Sequence, residues 1–346
     1  MNERADAGVA APFAELAATV RAARAVVAVG NGTHAGIGGA VIDATEVRAP
    51  AGIVDFQPAD MTVTVLAGTT VAELAAALSE HGQECPLDPR DSAATVGGTV
   101  AAGLSGLRRL GLGPIRDTVL EVVLLLADGR VVRGGGPTVK NVTGYDVPRL
   151  AVGSLGTLGV IGRLTLRTRP LPAASEWYRT DLAPADVLTR LYAPTAVVAN
   201  AAGTHVLLEG HAADLAVEAA RAELHRDRPP AIASWPHRGR ISVPPDAVAS
   251  ISARLRSLVG VAYLAEHGVG TVHVASEDPG AIAVARDLAH THSGWLLREA
   301  GAPDLDPIGC DLPAAALQRR IRAALDPTGK LAPGRVPATE PAQVVA

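Results

Sequence analysis

The sequence has little cysteine. Cys85 and Cys310 are the two cysteines among 346 residues, and neither lies in a CxxC or His-rich pattern. Disulfide frameworks and zinc sites need more thiols, at characteristic spacings. We therefore expect neither a disulfide nor a bound metal, and we interpret both cysteines as small packed side chains.

The sequence also lacks a strong excess of either charge. Lys and Arg number 31 and Asp and Glu 35, which gives a formal net charge of -4. A nucleic-acid surface needs a concentrated basic patch. The one local excess, Arg319, Arg320 and Arg322, has the spacing of a solvated helix face. We therefore expect no nucleic-acid partner.

Long apolar runs are missing as well. No segment reaches the roughly 18 uninterrupted apolar residues of a membrane helix. Glu3, Arg4 and Asp6 stand where a signal peptide would be apolar. The sequence predicts a cytoplasmic protein without direct membrane insertion, peripheral to the inner membrane only through partners. Its 48% apolar and 19% charged residues indicate a globular chain, long enough for two domains.

The first half of the chain mixes short β-runs with helices. Thr70 and Glu73 form a capping-box pattern that opens a helix, and Asp128-Gly129 is typical of a β-hairpin turn. Further predicted elements are a helix over 15–24, strands over 26–29, 61–66, 119–126 and 160–168, and a β-run near Val41 and Ile42.

Pro170 and Pro172 mark a predicted domain boundary, because the pattern of predicted strands and helices changes there. Beyond them, strand patterns alternate with helical ones, which favours an antiparallel sheet covered by helices. The predicted strands are 197–199, 205–208, 261–264, 271–274 and 295–298, and the predicted helices are 214–224, 279–290 and 313–325. The sequence therefore predicts domains over 1–172 and 173–325, with a C-terminal tail over 326–346.

A first glycine loop, residues 30–36, follows a strand and invites comparison with dinucleotide-binding motifs. Its G-x-G-x-x-x-G spacing has one residue too many for G-x-G-x-x-G, and no helix pattern opens at its third glycine. Such a loop can still hold pyrophosphate through successive backbone N–H groups. The alternative is a bare hairpin loop.

Two more segments combine glycine with small residues. In residues 86–103, the Gly97-Gly98 pair would admit a flat or anionic group, although a plain small-residue helix contact has the same pattern. Residues 140–161 hold four glycines, and Lys140 and Tyr145 in it could meet a substrate, a ring edge or solvent. That segment alone could also be a tight β-turn. Taken together, the three segments suit one large, flat, phosphate-bearing cofactor.

At this point a family resemblance becomes explicit. GNGTHAGIGG, ATVGGTVAAGLSG, VLEVVLLLADGRVV and KNVTGYDVPRLAVGSLGTLGVI resemble the successive FAD-binding elements of the vanillyl-alcohol oxidase / p-cresol methylhydroxylase (PCMH-type) flavoprotein family. DPTGKLAPGR, residues 326–335, resembles that family's C-terminal element. The third glycine segment resembles its glycolate-oxidase-like branch. The resemblance spans most of residues 26–170 and the tail.

The resemblance implies an α+β fold, with a FAD-binding domain of two α+β subdomains followed by a smaller α+β cap domain with an antiparallel sheet. It also implies FAD contacts from all three glycine segments. The residues carried over are Gly30, Asn31, Gly32, Thr33 and His34 in the first, Pro86, Thr95, Gly97, Gly98 and Gly103 in the second, and Gly156, Val160 and Ile161 in the third. Some relatives attach FAD covalently through a histidine. His34 is one place off, so we expect non-covalent FAD.

The cap domain departs from the family pattern. Related 2-hydroxy-acid dehydrogenases carry H-x-G-D-G-N-x-H, whereas residues 266–273 here read EHGVGTVH. Glu266 replaces the first histidine and Val269 the aspartate, and an apolar side chain offers no carboxylate. The candidate catalytic residues are Lys140, Tyr145, Glu266 and His273.

The resemblance therefore predicts the FAD-binding subunit of a glycolate (2-hydroxy acid) oxidase complex. A second flavoprotein subunit and an iron–sulfur subunit would be its partners. One alternative is a stand-alone FAD-dependent dehydrogenase of D-lactate or another 2-hydroxy acid. The other is a flavin-free scaffold or binding subunit.

Overall fold

The computed structural model describes residues 11–137, 145–310 and 314–335, and it has the α+β fold that the sequence predicts. Its α-helices are α1 (Ala14–Ala22), α2 (Val71–Ser79), α3 (Val96–Ala102), α4 (Arg109–Leu112), α5 (Val147–Ala151), α6 (Pro184–Arg190), α7 (Ala212–Arg221), α8 (Val248–Arg256), α9 (Pro279–Thr291) and α10 (Ala315–Leu325). Short 3-10 helices span Ala11–Phe13, Pro58–Asp60, Ile115–Asp117 and Pro245–Ala247.

The strands fall into two large antiparallel sheets and two small pairs. They are β1 (Val26–Ala28), β2 (Thr45–Val47), β3 (Ile53–Gln57), β4 (Thr62–Leu66), β5 (Gln83–Glu84), β6 (Val119–Leu125), β7 (Val131–Gly135), β8 (Val160–Arg167), β9 (Arg169–Pro170), β10 (Ala174–Thr180), β11 (Ala196–Asn200), β12 (Gly203–Gly210), β13 (His225–Arg226), β14 (His237–Ser242), β15 (Val261–Glu266), β16 (Thr271–Ser276) and β17 (Trp295–Ala300).

The five-stranded sheet of the N-terminal half has the order β3-β4-β8-β6-β7. Its core holds Leu74, Leu78, Val122 and Leu164, which are fully or almost fully buried, so α2 packs directly on the sheet. β1 and β2 form a separate parallel pair. The C-terminal stretch extends that pair, because Leu331 bridges Val26 in parallel. Residues distant in sequence therefore meet beside the first glycine loop.

The β-run predicted near Val41 and Ile42 is wrong. Neither residue is in a strand, and Ile42 is 70% exposed. The strand β2 begins at Thr45 instead, where its backbone pairs with β1. Gly38 and Gly39, both at positive φ, lead the chain through a turn before that pairing. The apolar run at Val41 and Ile42 has no strand beside it with which to pair. The start of β2 is set by its pairing with β1.

The capping box of α2 is confirmed. The Thr70 hydroxyl accepts a hydrogen bond from the Glu73 backbone N–H at 3.1 Å, and a Glu73 carboxylate oxygen accepts from the Thr70 N–H at 2.8 Å. The Asp128-Gly129 hairpin is confirmed as well, since β6 and β7 pair on either side of it.

We predict that Thr70→Ala lowers the free energy of unfolding by about 1 kcal/mol, because the Glu73 N–H at the start of α2 loses the hydroxyl oxygen that accepts its hydrogen bond. Urea denaturation would measure the change. Ser79→Ala, at the exposed C-terminal end of the same helix, is the matched control and should change it by less than about 0.5 kcal/mol. Equal effects of the two substitutions would contradict the prediction.

The second half of the chain forms an eight-stranded antiparallel sheet in the order β13-β10-β12-β11-β15-β16-β14-β17. Helices α6, α7, α8 and α9 pack on one face, around buried residues such as Val206, Ile241, Ile251 and Ile282. Because side chains alternate along a strand, the opposite face carries a different set. That face turns toward the N-terminal half, and Leu264 on it packs against Leu107.

Candidate functional site

The first glycine loop forms one wall of a deep cleft. Residues 30–34 leave β1 and turn back through Gly32, which has a φ of 76°. The Asn31 side-chain amide donates to the Ala93 carbonyl at 2.7 Å, and Arg48 donates to the Gly30 carbonyl. The loop is thereby fixed to the segment that precedes α3, so two of the three predicted glycine segments are in contact.

The start of α3 forms the second wall. The Thr95 hydroxyl accepts from the Gly98 N–H at 3.1 Å and so caps the helix. A Cβ at Gly30 would lie 2.3 Å from that hydroxyl oxygen, and a Cβ at Gly97 would lie 2.9 Å from the Ala67 carbonyl oxygen. A Cβ at Gly98 would meet only the Thr95 hydroxyl. Gly30 therefore lets the Thr95 side chain approach closely and Gly97 lets the Ala67 backbone approach closely, whereas Gly98 lines the cleft.

The third wall comes from the loop before β8 and from the start of that strand. Gly156 has a φ of 77°, and a Cβ there would have no heavy atom within 4 Å. Val160 and Ile161 line the same cleft, whose empty volume, including its open mouth, is about 830 Å³.

Arg335 also lines this cleft, and sequence analysis did not single it out. Its guanidinium donates to the carbonyls of Leu155 at 3.2 Å and Ala35 at 3.3 Å, while its Nε is buried without a partner. Burial lowers the pKa of this guanidinium. A desolvated cation needs a counter-charge, so the cleft suits a phosphate-bearing ligand. The sequence signal that could have identified it is the arginine that ends the segment DPTGKLAPGR.

Most predicted cofactor-binding residues thus converge. The cleft is lined by Gly30, Asn31, Gly32, Thr33, His34, Thr95, Gly97, Gly98, Gly156, Val160 and Ile161. Pro86 and Gly103 do not line it. Gly103 ends α3 at a φ of 64° and packs against Gly153, so close that a Cβ would lie 2.8 Å from the Gly153 Cα. Its requirement for glycine is explained by that backbone contact.

A second cavity lies between the two halves of the chain and adjoins the cleft through Thr33 and His34. His273 and Glu299 come from the eight-stranded sheet of the second half of the chain, which we call the cap sheet, and Arg90 comes from the loop before α3. Its empty volume is about 2040 Å³, open solvent included. The cavity is therefore built from both domains.

A chain of charged groups crosses one side of this cavity. Glu266 Oε1 lies 2.7 Å from His273 Nε2, His273 Nδ1 lies 2.5 Å from an Arg90 nitrogen, and Arg90 also pairs with Glu299 at 2.5 Å. Burial alone would raise the pKa of Glu299, but the charges of Arg90 and Arg240 outweigh it and lower that pKa. Glu299 is therefore ionised at neutral pH.

Both ring nitrogens of His273 are hydrogen-bonded within this series of charged groups. Arginine can only donate, so Nδ1 accepts from Arg90, and Nε2 carries the proton that it donates to Glu266. In this arrangement His273 has no free nitrogen with which to take a proton from a substrate. The structure thus brings two predicted catalytic candidates, Glu266 and His273, together, and they are hydrogen-bonded to each other.

A third catalytic candidate, Tyr145, lies elsewhere. Tyr145 is 95% exposed, at the surface, and lines neither cavity. Lys140 lies outside the described residues. In the described ranges, no group of three His, Cys, Asp or Glu side chains is arranged to hold a metal ion.

His34 stands between the cleft and the cavity. Its Nε2 is buried without a hydrogen-bond partner. Burial, aided by the charge of Arg90, lowers the pKa of His34, so the ring is neutral at pH 7. The partner-free Nε2 of this neutral imidazole can donate to or accept from a bound group at the junction of the two spaces.

His267, beside the charged chain, gives a pH prediction. Burial lowers its pKa to about 4, and its Nε2 has no partner. As the pH falls below about 6.5, His267 binds a proton in the unfolded chain but not in the folded chain. The free energy of unfolding therefore falls until about pH 4. We expect His267 to cost about 2 kcal/mol of unfolding free energy between pH 7 and pH 5.

Urea denaturation at both pH values would measure this effect. His267→Gln should lose less unfolding free energy between pH 7 and pH 5 than the wild type, by about 2 kcal/mol. His290→Gln, at an exposed histidine, is the control and should keep the wild-type pH dependence. A His267→Gln profile that parallels the wild type would show that the ring titrates normally.

The fold and the cleft together define a class of protein. Residues 10–135 match the family model described as "FAD binding domain". This part of the chain is a PCMH-type FAD-binding domain, and FAD is its cofactor. The cradle of glycines, the unpartnered Arg335 Nε and the neutral His34 are consistent with a bound dinucleotide.

The relatives that the chain matches include oxidase subunits and dehydrogenases. The chain is 37% identical over 165 residues to "Glycolate oxidase subunit GlcE" of Escherichia coli (strain K12), covering 47% of each chain. It is 44% identical over 104 residues to "D-lactate dehydrogenase" of Archaeoglobus fulgidus, covering 30% of this chain and 24% of that protein. It is 36% identical over 121 residues to "Glycolate oxidase subunit GlcD" of Bacillus subtilis (strain 168), covering 35% and 26%. The matches thus span less than half the length of these relatives.

A solved structure of an alkyldihydroxyacetonephosphate synthase has the same fold. The TM-score is 0.61 at 13% sequence identity, covering 92% of this chain and 74% of that one. The likeness therefore extends across the cap as well as the FAD-binding domain. Among the residues that the structure describes, no helix is long and apolar enough to cross a membrane.

Proposed function

We propose that this protein is a FAD-dependent oxidoreductase subunit that carries flavin in a glycolate (2-hydroxy acid) oxidase complex. One observation carries the proposal: the cofactor cleft has all three of its walls, whereas Glu266 and His273 of the cap are hydrogen-bonded to each other. We further propose a second flavoprotein subunit and an iron–sulfur subunit as partners. The complex would be cytoplasmic, and peripheral to the inner membrane through those partners.

In this role the protein residues bind and orient the cofactor, and FAD supplies the redox chemistry. Backbone N–H groups of residues 30–34 would hold the pyrophosphate, and Arg335 would supply a positive charge near it. Val160 and Ile161 would contact a ring through their backbone. Arg90, held by Glu299 and His273, would present a fixed positive charge at the far end.

A second candidate is a stand-alone dehydrogenase of D-lactate or a related 2-hydroxy acid. The specific observation in its favour is the cavity between the domains, which adjoins His34 and is lined by Arg238 and His273. For His273 to act as a base, Arg90 would first have to release its Nδ1. This candidate therefore requires a rearrangement of the charged chain.

The two candidates are separated by turnover of the isolated chain. We expect the purified protein to be yellow, to release FAD into the supernatant on acid precipitation, and to oxidise neither glycolate nor D-lactate with an artificial acceptor. Adding the partner subunits should restore glycolate oxidation. Turnover by the isolated chain that is lost in His273→Gln would support the dehydrogenase instead. A colourless protein that cannot be reconstituted with FAD would contradict both.

A further inference from the structure

A third cavity, separate from the cleft and from the charged chain's cavity, lies between β17, α10 and the loop after α5. We call it the arginine groove and define it by Arg240, Arg319, Arg322, Trp295, Leu297 and Ile308. Its empty volume is about 1470 Å³, open solvent included. It shares Ala102 and Leu155 with the FAD cleft, so the two spaces are separated by a thin apolar wall.

The floor of the groove is apolar. Leu297 and Ile308 are buried, and Trp295 packs against the same small cluster. They stand on the side of the groove that adjoins the FAD cleft, because Leu155 belongs to that cluster as well. An apolar floor of this kind favours an aromatic or aliphatic body over a small inorganic ion.

Arg240 is a half-buried cation that lacks a bonded counter-charge. Its Nε is buried without a partner, and burial lowers the pKa of its guanidinium. Glu299 and Glu266 are the acids near it. They are engaged elsewhere, Glu299 by Arg90 at 2.5 Å and Glu266 by His273 at 2.7 Å. Buried guanidinium groups are rarely left in this state, because their desolvation is costly.

The rim of the groove adds positive charge. Arg319 and Arg322 both come from α10, and neither forms an ion pair with a described residue. Arg149 also lines the groove, but it is held by Asp117 and Asp146 at 3.4 Å each. No Asp or Glu is among the described residues that line the groove. An anion entering it would therefore meet cations and apolar surface without a competing carboxylate.

We propose that the arginine groove binds an amphipathic organic anion. Its acidic group would pair with Arg240 and with the rim arginines, and its apolar body would lie on Trp295, Leu297 and Ile308. The acidic group is a carboxylate or a phosphate, since a guanidinium recognises both by the same paired hydrogen bonds.

Calorimetric titration of the FAD-loaded protein tests this site, since bound FAD fills the neighbouring cleft. 2-Naphthoate and 2-naphthyl phosphate are the probes, and their relative affinities distinguish the two acidic groups. Acetate lacks the apolar body, and 2-naphthalenemethanol lacks the charge. We expect at least one naphthyl anion to bind once per chain, about tenfold or more tighter than acetate and the neutral alcohol.

Arg319→Glu combined with Arg322→Glu should weaken that binding about tenfold or more, because both changes reverse the charge of the rim. Arg320→Glu is the matched control: it reverses a charge on the same helix, at an exposed residue that does not line the groove. It should stay within about twofold of the wild type. Arg240→Gln should also lose the binding; since this residue is half-buried, its thermal melt is measured alongside.

The proposal is overturned if neither naphthyl anion binds saturably to the wild type. It is equally overturned if the double variant and Arg320→Glu bind with the same affinity. The surface pair decides the question even if Arg240→Gln fails to fold, since α10 carries no buried side chain.

Discussion

Gly98→Val should lower the affinity for FAD at least about 100-fold, equivalent to about 2.7 kcal/mol. Gly98 lies in the first turn of α3, lines the cleft, and meets only the Thr95 hydroxyl if a Cβ is added. The valine methyl groups would therefore occupy cofactor space, and the added Cβ would lie 2.9 Å from the Thr95 hydroxyl oxygen that caps α3. Equilibrium dialysis or quenching of flavin fluorescence would measure the affinity, and circular dichroism would follow the fold.

The chain offers a closely matched control in Gly280→Val. Gly280 also lies in the first turn of a helix, α9, and its N–H is also capped by a preceding side chain, Asp278, at 2.9 Å. A Cβ there would lie 3.2 Å from the Asp278 Oδ1. It is outside the cleft, so FAD affinity should remain within about twofold of the wild type. If Gly98→Val keeps wild-type affinity, the cofactor does not approach α3.

Arg108→Ala should lower the free energy of unfolding by about 3 kcal/mol. Arg108 pairs with Glu84 at 2.8 Å and Asp88 at 2.6 Å in the first half of the chain, and with Glu209 of the cap at 3.1 Å. Burial opposes its charge, but the hydrogen bonds and charges of Asp88 and Glu84 raise its pKa above the usual value. Removing the cation leaves three largely buried carboxylates facing one another.

Denaturation in urea would measure this loss, and Arg130→Ala would serve as the control. Arg130 pairs with Asp128 at the surface, where an ion pair contributes at most about 1 kcal/mol. Because Arg108 joins both halves, we also expect its loss to make them unfold in separate transitions. A loss below about 1 kcal/mol, in one transition, would show that the packing of the two halves holds them together without this cation.

Local sequence signals predicted much of the fold. The Thr70–Glu73 capping box and the Asp128-Gly129 turn act within a few residues, so their geometry is encoded where they stand. The strand β14 escaped prediction for the opposite reason. HRGRIS carries Arg238 and Arg240, which indicate solvent exposure, yet both face the interior side of the cap sheet. The carboxylates and cavities that make this tolerable come from distant segments.

The candidate site likewise has parts that local sequence signals predicted and parts that they did not. Three glycine segments were recognisable, because glycine is required wherever backbone approaches backbone or a ligand. Arg335 was not singled out, since its role depends on the C-terminal stretch returning beside β1. Gly103 carries a strong glycine signal, but its close contact is with Gly153 of the protein itself. Sequence cannot tell a ligand from a backbone neighbour at such a position.

By itself, the sequence identified the FAD-binding class through its resemblance to a known flavoprotein family, because the segments that carry the resemblance are short and local. Only the tertiary structure decided which hydrogen bonds the charged groups beside the cofactor cleft form. The Glu266–His273–Arg90–Glu299 chain joins residues far apart along the chain, and it uses both ring nitrogens of His273. Charge and hydrogen-bond capacity are settled by which groups meet in space, and that depends on how the cap sheet packs on the FAD-binding domain.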